Sequence, residues 1–457
     1  ARDRLQAIPD HLERDGIGRG AHRPPRYAIA SPAASRETTP SAKRACTARA
    51  RGVRGMPTVP RELWIYLASR FCSGSAMTML RAAIAWHVFK LSDSAFHLGL
   101  IGLVQFIPAL GLSLVGGAAA DAYDRRRIMI IAQVVPLAAS VWLRSATVDD
   151  TITLAGLYAV VFVVAVAASF ESPSRAALLP TLVSREQFPR AVTFASTNQA
   201  LAFVTGPALC GLLIAELGVG AVYAAYGGLV AVSLLGVLYL PSRAPEGPRR
   251  AVSLQTIREG LAFVFRSEPI LGCMALDMFA VIFAGATALL PIYARDILEV
   301  GPRGYGLLTA SLEVGALLSS FALLFLPPIS RAGRGLLVAV ALYGVATVVF
   351  GLSRWFPLSV AAYMLVGMAD QVSVVLRSTI IQLATPDELR GRVSSVNLIF
   401  IGASNQLGAV EAGFVAALTN APFAVVSGGV ASLLVVAIVA VRMKELRVYR
   451  LRAQLAH

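Results

Sequence analysis

Long apolar runs alternate with short polar segments throughout the chain from Met56 onward. A helix needs about 20 mainly apolar residues to cross the hydrocarbon core of a bilayer. The runs that approach or exceed this length are residues 63–90, 97–120, 127–147, 152–172, 190–216, 220–241, 268–294, 304–327, 334–352, 356–377, 392–419 and 422–442. The pattern therefore predicts an all-α polytopic membrane protein with twelve transmembrane helices.

The second half of the chain repeats part of the first. The segment RAALLPTLVSREQFPRAV aligns with the segment RSTIIQLATPDELRGRVSS at an offset of 202 residues. This alignment superposes Arg175 on Arg377, Glu186 on Glu388 and Arg190 on Arg392. Each half contains six predicted helices, and the matching segments lie on the same side of the membrane. This arrangement predicts two six-helix bundles that are related by a parallel repeat and rock about a midplane site.

Lys and Arg are distributed unequally among the predicted loops. From Met56 onward, 23 of them lie on the tails and the even-numbered loops, and 5 lie on the odd-numbered loops. The five are Lys90, Arg144, Arg295, Arg303 and Arg354. Because loops rich in Lys and Arg stay in the cytoplasm, we predict that both termini are cytoplasmic.

The apolar pattern divides the chain into four parts. Residues 1–56 form a basic extension without a signal-peptide-like apolar run, and we expect it to be disordered. Because the first methionine is Met56, we hypothesise that the preceding residues are a processed or misassigned extension. Residues 57–241 and 268–457 contain the two bundles, the second with a basic tail. Residues 242–267 are predicted to form a cytoplasmic linker with an amphipathic helix on the membrane surface.

The composition excludes an ordinary soluble enzyme, because 56% of the 457 residues are hydrophobic, 15% are charged and the mean hydropathy is +0.67. The net charge of +15 raises the alternative of nucleic-acid binding, but the charges lie between apolar runs, so no nucleic-acid partner is expected. There is no Walker, HExxH or GxSxG sequence, which argues against catalysis and ATP-driven transport. We expect no metal site, since the cysteines are scattered: Cys46, Cys72, Cys210 and Cys273.

The loop between the second and third predicted helices contains GGAAADAYDRRR, from Gly116 to Arg127. It resembles the signature of the major facilitator superfamily at this place, which is a glycine, an aspartate four residues later and a short basic run. Gly117 and Asp121 hold the first two positions, although Ala122 replaces the basic residue that often follows the aspartate. The resemblance implies the major facilitator fold and a secondary transporter.

The same resemblance implies a conformational latch at this loop. In the superfamily, the aspartate contacts the start of helix 11, and an arginine contacts an acid at the inner end of helix 4. Here this implies Asp121 close to residues 391–393, and Arg125 or Arg126 close to an acid of the fourth helix. Such contacts would break as the bundles rock, although the arginines could instead serve only to keep the loop in the cytoplasm. The latch residues are then Gly117, Asp121, Asp124, Arg125, Arg126 and Glu171.

The fifth predicted helix contains AFVTGPALCG, which begins at Ala202. It resembles the helix 5 motif of the superfamily's proton-coupled antiporters, in which a Gly-Pro pair is flanked by further glycines. Gly206, Pro207 and Gly211 match, whereas Ala202 and Cys210 substitute other small residues. A proline among small residues permits a bend and close packing, and the resemblance implies export by proton antiport. The alternative is a Gly-Pro pair that is merely tolerated in a membrane helix.

Two longer runs, LGLIGLVQFIPALGLSLVGGAAAD and PDELRGRVSSVNLIFIGASNQLGAVEAG, resemble one bacterial branch of the superfamily. This branch includes the enterobactin exporter and related multidrug and macrolide efflux proteins. The likeness covers nearly all of residues 57–442. It implies a multi-pass protein of the bacterial inner membrane that acts as a monomer in the lipid bilayer on a small-molecule substrate. No cofactor is expected, because the proton gradient would supply the energy.

Five charged residues lie deep inside predicted helices, where each costs about 2.5 to 3.5 kcal/mol on insertion scales and is a functional candidate. Asp277 and Asp370 lie in the inner halves of their helices, and Glu313 and Glu411 lie in the outer halves. Arg81 lies on the first helix. We expect the acids to carry protons, Glu411 foremost, and Arg81 to pair with an anionic substrate or with Glu411. Structural ion pairs are the alternative.

These features favour a secondary transporter that exports a small organic molecule, such as a siderophore or a drug-like compound, by proton antiport through alternating access. A proton-coupled importer of a small metabolite would use the same fold, but the helix 5 motif counts against it. A membrane sensor that does not transport is a third hypothesis, because fold alone does not determine function. The intramembrane acids count against a sensor.

Overall fold

The computed structural model of the protein describes residues 60–242, 254–327 and 329–450. The predictions for residues 1–56 and for the first part of the linker fall outside the described residues. The regular secondary structure of the described ranges is helical, with no strand among them. The prediction of an all-α protein is therefore confirmed.

The helices follow one another with short connections. They are α1 (Arg61–Ser92), α2 (Ala95–Ala122), α3 (Arg125–Val148), α4 (Leu154–Leu178), α5 (Phe188–Leu217), α6 (Val219–Tyr239), α7 (Leu254–Arg266), α8 (Glu268–Ala284), α9 (Gly301–Phe325), α10 (Ala332–Leu352), α11 (Phe356–Ala384), α12 (Arg390–Leu418), α13 (Ala421–Arg442) and α14 (Lys444–Val448). Short turns extend the α8 segment to Ile297. Ten helical segments within the described ranges are long and apolar enough to cross a membrane, and Ala95–Pro108 is a shorter apolar stretch. The chain is therefore a multi-pass membrane protein, while twelve spans remain a prediction.

Local sequence signals explain several helix ends. Asp124 begins α3 by accepting a hydrogen bond from the backbone N–H of Arg126 (2.9 Å). Asn420 begins α13 in the same way, with the backbone N–H of Phe423 as donor (2.9 Å). Such side chains satisfy backbone groups that the first helical turn leaves without a partner. Proline also favours a helix start, because an N–H in the first turn has no partner within the helix and proline lacks that N–H. Proline stands in the first turn of α5, α8, α9, α11 and α13.

Two helices are longer than the apolar pattern predicted. The fourth and tenth predicted helices ended at residues 172 and 377, whereas α4 and α11 continue to Leu178 and Ala384. The apolar runs stop where arginines and other polar residues begin. In α4, Arg175 is satisfied inside the protein, because it pairs with Glu171 of the same helix and donates to Ser69 of α1.

On one side of the membrane-spanning region, the two halves of the chain are in close contact. We term this the far side, at which α1 ends, and we term the end at which α1 begins the near side. A methyl group on Gly99 of α2 would lie 3.0 Å from the Cα atom of Gly413 in α12. A methyl group on Gly211 of α5 would lie 2.6 Å from the Cα atom of Gly306 in α9. Glycine is therefore what allows these helices to meet.

Toward the near side, the same pair α2 and α12 separates. A methyl group on Gly111, Gly117, Gly391 or Gly402 would meet no atom of another element within 4 Å. The first two of these glycines belong to α2 and the other two to α12. The two helices thus touch at the far side and diverge toward the near side, which leaves a space between the halves of the chain.

Candidate functional site

A cavity of about 510 Å³, here the first cavity, occupies the space among α1, α2, α4 and α12. Most of its wall is aliphatic or aromatic. Its polar side chains are Arg81, Gln105, Ser169, Ser395 and Gln406. A mainly apolar wall with a few polar groups is typical of sites for small organic ligands, and the volume suits such a molecule.

A second cavity of about 320 Å³ lies among α1, α3, α4, α5 and α6. It shares Met77, Arg81, Val164 and Ala168 with the first cavity, so the two adjoin. Arg81 is exposed and lines both of them. Within the described part of the chain, Arg81 forms no ion pair. Of the predicted proton or substrate residues, Arg81 is thus the one that lines the two described cavities.

A buried polar network borders the second cavity and joins four helices. Glu171 Oε1 accepts hydrogen bonds from Arg175 Nη2 (2.5 Å) and Gln133 Nε2 (2.8 Å). The Ser73 hydroxyl donates to the same oxygen (3.0 Å), and Gln133 Nε2 also donates to Ser233 Oγ (3.0 Å). Arg175 compensates the charge of Glu171, and the Oε1 atom accepts hydrogen bonds from side chains of α1, α3 and α4. Glu171 therefore holds this network together.

The predicted contact of Glu171 with Arg125 or Arg126 is not formed. Arg125 Nη1 donates to the carbonyl of Ala177 at the end of α4 (3.1 Å), and Arg126 donates to a carbonyl of α6. Arg175 forms the ion pair with the Glu171 carboxylate instead, because residues four positions apart lie on the same face of a helix. The resemblance predicted Arg125 or Arg126 as the partner of Glu171, whereas its partner in the structure is Arg175.

The two aspartates of the predicted latch have different outcomes. Asp124 is the first residue before α3, and its carboxylate also accepts a hydrogen bond from the Ser242 hydroxyl after α6. This role stabilises the helix start and the end of the first half. Asp121 lies in the last turn of α2, but its side chain falls outside the described residues. Its contact with residues 391–393 therefore stays a prediction.

The glycine that brings α2 close to α4 is Gly116 rather than the predicted Gly117. A methyl group on Gly116 would lie 2.9 Å from the carbonyl carbon of Ser169 in α4. Gly117 instead lines the first cavity, where a methyl group would find open space. The one-residue shift rotates the contact by about 100° around the helix axis, which the loop motif alone could not predict.

The helix 5 motif lies at helix contacts. Gly206, Pro207 and Gly211 are all buried. A methyl group on Gly206 would lie 2.5 Å from the carbonyl oxygen of Ser75 in α1, and Gly211 meets Gly306 of α9. The motif therefore holds α5 against its own half on one face and against the second half on another. The close packing that the motif predicted is present, while its link to proton antiport stays a prediction.

The glycines that take the equivalent places in the second half were not among the predicted residues. The repeat offset of 202 residues leads from Gly206 to Gly408 and from Gly211 to Gly413. A methyl group on Gly408 would lie 2.6 Å from the carbonyl oxygen of Val281 in α8, and Gly413 meets α2. Extending the aligned segments by about four to five helical turns along the same offset would have found both glycines.

Asp277, one of the four predicted proton carriers, is held in an ion pair. It pairs with Arg377, and only 11% of the Asp277 side chain and 3% of the Arg377 side chain are exposed. Arg377 is the residue that the repeat superposes on Arg175, so each half contains a buried arginine that an acid compensates. For Asp277, the structure thus agrees with the alternative of a structural ion pair.

Two other acids, Glu313 and Asp370, are electrostatically coupled to each other. Glu313 of α9 interacts electrostatically with Asp370 of α11 and with Arg81. Tyr363 is buried beside the acids, and its hydroxyl forms a hydrogen bond with Thr287 (2.7 Å). Arg81 forms no ion pair with Glu411 in the described ranges, and the acid that acts electrostatically on it is Glu313 of the second half, while its pairing with an anionic substrate stays a prediction.

Glu411 stands apart from both cavities. It lies on α12 between Gly408, which packs on α8, and Gly413, which packs on α2. Its Oε2 atom is buried and has no hydrogen-bond partner in the described part of the chain. An unpartnered buried oxygen is unusual in a structural role and requires a functional explanation.

Two ion pairs that the sequence did not predict join the halves at the far side. Arg295 pairs with Asp93 after α1, and its guanidinium lies 4.1 Å from the centre of the Phe89 ring. Arg303 at the start of α9 pairs with Glu216 at the end of α5. Both arginines appeared in the sequence only as loop charges, because their partners are distant along the chain.

Comparison with known proteins gives a consistent family match. The sequence profile of a family described as "Transmembrane secretion effector" matches residues 57–454. The chain is 25% identical over 396 residues to a protein named Enterobactin exporter EntS from Escherichia coli, and this alignment covers 86% of the chain and 94% of that protein. The protein of the same name from Shigella boydii aligns with the same identity and coverage.

Solved transporters have the same fold. A POT family transporter in complex with a thioalcohol-conjugated peptide superposes with a TM-score of 0.68 at 12% identity, covering 85% of this chain and 97% of the other. A bacterial homologue of the human lysosomal transporter Spinster, in an inward-facing and unoccupied conformation, superposes with a TM-score of 0.64 at 14% identity, covering 86% and 97%. At these identities, the likeness concerns the fold alone.

Proposed function

The chain belongs to the family of transmembrane secretion effectors, which are membrane transporters of the major facilitator kind and not enzymes, and from this premise we propose that it exports a small organic molecule by proton antiport. The proposal includes twelve transmembrane helices in two six-helix bundles related by a parallel repeat. It also includes a bacterial inner-membrane location, cytoplasmic termini and a single chain as the functional unit.

The observation that carries the proposal is the first cavity, which is bounded by both halves of the chain and closed at the far side. Alternating access requires a central site that one side reaches while the other side is sealed. Here the contacts of α2 with α12 and of α5 with α9 form the seal, and the divergence of α2 and α12 forms the opening. With cytoplasmic termini, the near side is the cytoplasm, from which an exporter takes its substrate.

Three acids of the second half are available for proton coupling. Glu313 interacts electrostatically with Arg81 of the first half and with Asp370, so its charge state affects a residue that lines both cavities. Glu411 lies beside the glycine contacts of α12, where a change of charge would act on the contacts that seal the far side. Proton binding at these groups and substrate binding at the cavity would thereby be linked.

The named relative is an enterobactin exporter, which supports a siderophore or a drug-like compound as substrate and export as direction. The test is accumulation of a panel of fluorescent efflux substrates and an iron-chelating siderophore in inverted membrane vesicles that contain the protein. We expect uptake of at least one compound that requires a proton gradient and stops when a protonophore is added. Uptake that is indifferent to the gradient would contradict antiport, and accumulation only in right-side-out vesicles would contradict export.

A further inference from the structure

The charged side chains that line the two cavities are mostly positive. Among the described lining residues there are three arginines, Arg70, Arg81 and Arg175, and one carboxylate, Glu171. Glu171 is already used by Arg175, whose Nε and Nη2 atoms donate to it at 3.2 and 2.5 Å. Arg70 and Arg81 therefore have no carboxylate partner among the described lining residues, and the acid that acts electrostatically on Arg81, Glu313 of α9, lies outside both linings.

Arg70 is only partly satisfied. Its Nη1 atom donates to the Tyr66 hydroxyl (3.1 Å), and its Nε atom is buried without a hydrogen-bond partner in the described ranges. Arg70 also forms no ion pair there. A guanidinium with buried donors and no anion is costly, and a bound anion would relieve that cost.

The two arginines lie along one face of α1. Arg70, Gly74, Met77 and Arg81 all line the second cavity at helical spacing. At about 1.5 Å per residue, Arg70 and Arg81 are about 16 Å apart along the helix axis. Arg70 is nearer the open end, and Arg81 lies deep, at the junction with the first cavity. A ligand that enters from the near side passes one cation and reaches the other.

The wall of the first cavity indicates that the ligand also has an apolar part. Arg81 is the one charged residue among the described residues of its wall, which otherwise includes Leu80, Ile84, Phe106 and Leu398. A small inorganic anion would leave this surface exposed to water, whereas an organic molecule would cover it. The geometry favours a ligand with a single anionic group and an apolar body.

We propose, resting on the proposed function, that the transported substrate is an amphipathic organic anion. Its carboxylate, sulfonate or phenolate binds Arg81, and its apolar body packs in the first cavity against α2 and α12. Hydrogen-bonding groups of the substrate face the polar second cavity. Cationic compounds are disfavoured, because the charged lining residues are mostly arginines and Glu171, the one carboxylate among the described lining residues, is paired with Arg175.

The experiment compares three probes of nearly equal shape on the purified full-length protein in detergent micelles. The probes are dansylglycine, which is an anion, dansylglycinamide, which is neutral, and N-dansylethylenediamine, which is a cation. Fluorescence titrations, corrected with empty micelles, give the affinities. We expect dansylglycine to bind about tenfold more tightly than the amide, since it gains charge-assisted hydrogen bonds, and the amine to bind most weakly.

Variants identify Arg81 as the source of the preference. Arg81→Gln should reduce the preference for dansylglycine over dansylglycinamide to about twofold or less, and Arg81→Lys should retain most of it. The matched control is Arg144→Gln, which removes an exposed arginine near the far end of α3 and should leave all three affinities unchanged. Thermal unfolding and size-exclusion chromatography establish that each variant is folded.

Equal affinities for the three probes, tighter binding of the amine, or no binding of any probe would overturn the proposal. An anion preference that persists in folded Arg81→Gln would overturn the role of Arg81. If Arg81→Gln does not fold, the wild-type series still decides the charge preference. Because these titrations involve neither a gradient nor a direction, an importer would pass them, whereas the vesicle experiment alone decides proton-driven export.

Discussion

At the scale of single residues, Asp277 and Glu411 show how differently two intramembrane acids can be placed. Asp277 is paired with Arg377, whereas Glu411 keeps a buried Oε2 atom without a hydrogen-bond partner in the described residues. Removing a charge from a buried ion pair exposes the remaining charge to an apolar environment. Removing a charge from an unpaired acid leaves no such partner behind. Loss of the charge at Asp277 should therefore reduce stability, whereas loss of the charge at Glu411 should affect transport and leave the protein folded.

Glu411→Gln should abolish the dependence of transport on the pH gradient while the protein stays folded. The amide keeps the size of the side chain but cannot take up and release a proton. Vesicle uptake with and without a gradient measures the effect, and dansylglycine binding serves as the control, because Glu411 lies outside both cavities. A variant that is still fully driven by the gradient would remove Glu411 from the proton pathway.

Asp277→Asn should destabilise the protein by about 3 to 5 kcal/mol, because it leaves the Arg377 charge buried and uncompensated. Thermal unfolding in detergent measures the change. The double variant Asp277→Asn with Arg377→Met should recover much of the lost stability, because no unpaired charge remains. If the single variant unfolds at the wild-type temperature, the ion pair does not contribute to the fold as described.

At the scale of helices, the sequence predicted most of the fold, because a membrane-spanning helix can be recognised from the length of its apolar run. It failed where polar residues continue a helix, as at Arg175 in α4, because an apolar run ends there even though Glu171 of the same helix and Ser69 of α1 satisfy the arginine inside the protein. The same limit applied to the site. Burial cost identified Asp277, Glu313 and Glu411 as candidates, but one sequence does not reveal which of them meets an arginine. Packing contacts such as Gly211 with Gly306 likewise depend on the tertiary structure.

Gly211→Val should weaken the contact between α5 and α9, because even a methyl group there would lie 2.6 Å from the Cα atom of Gly306. Cys210 is a native reporter of this contact, since it is fully buried beside it. We expect alkylation of Cys210 by N-ethylmaleimide, followed by peptide mass spectrometry, to become several-fold faster.

The matched control for this change is Gly228→Val. Gly228 lies exposed on α6, and a methyl group there would meet no other element within 4 Å. Its substitution should leave Cys210 protected. Equal protection of Cys210 in Gly211→Val would mean that α5 and α9 accommodate the larger side chain, and the glycine would then not be required for closing the far side.

At the scale of the whole molecule, the contacts that hold the far side closed differ in strength. The glycine contacts bring backbones together over buried surface, whereas Arg295 with Asp93 and Arg303 with Glu216 are exposed ion pairs. An exposed ion pair contributes about 0.2 to 1 kcal/mol. The glycine contacts should therefore provide most of the closure, while each ion pair adjusts the balance between the two conformations by a factor of about five or less.

Charge reversal tests this balance. Arg303→Glu places two carboxylates together at the far side, so the conformation that is open there should gain population, and alkylation of Cys210 should rise. Exchanging the partners, Arg303→Glu with Glu216→Arg, restores the attraction and should return the rate to that of the wild type. Arg354→Glu is the control, because Arg354 is exposed and forms no ion pair in the described ranges.

The double variant Arg303→Glu with Glu216→Arg has the same amino-acid composition and net charge as the wild type. It therefore distinguishes the attraction between these two side chains from an effect of net charge. If Arg303→Glu and Arg354→Glu accelerate alkylation equally, the field of the whole surface is responsible and not the specific ion pair. If neither changes the rate, the glycine contacts alone hold the far side closed, and Gly211→Val becomes the change that should open it.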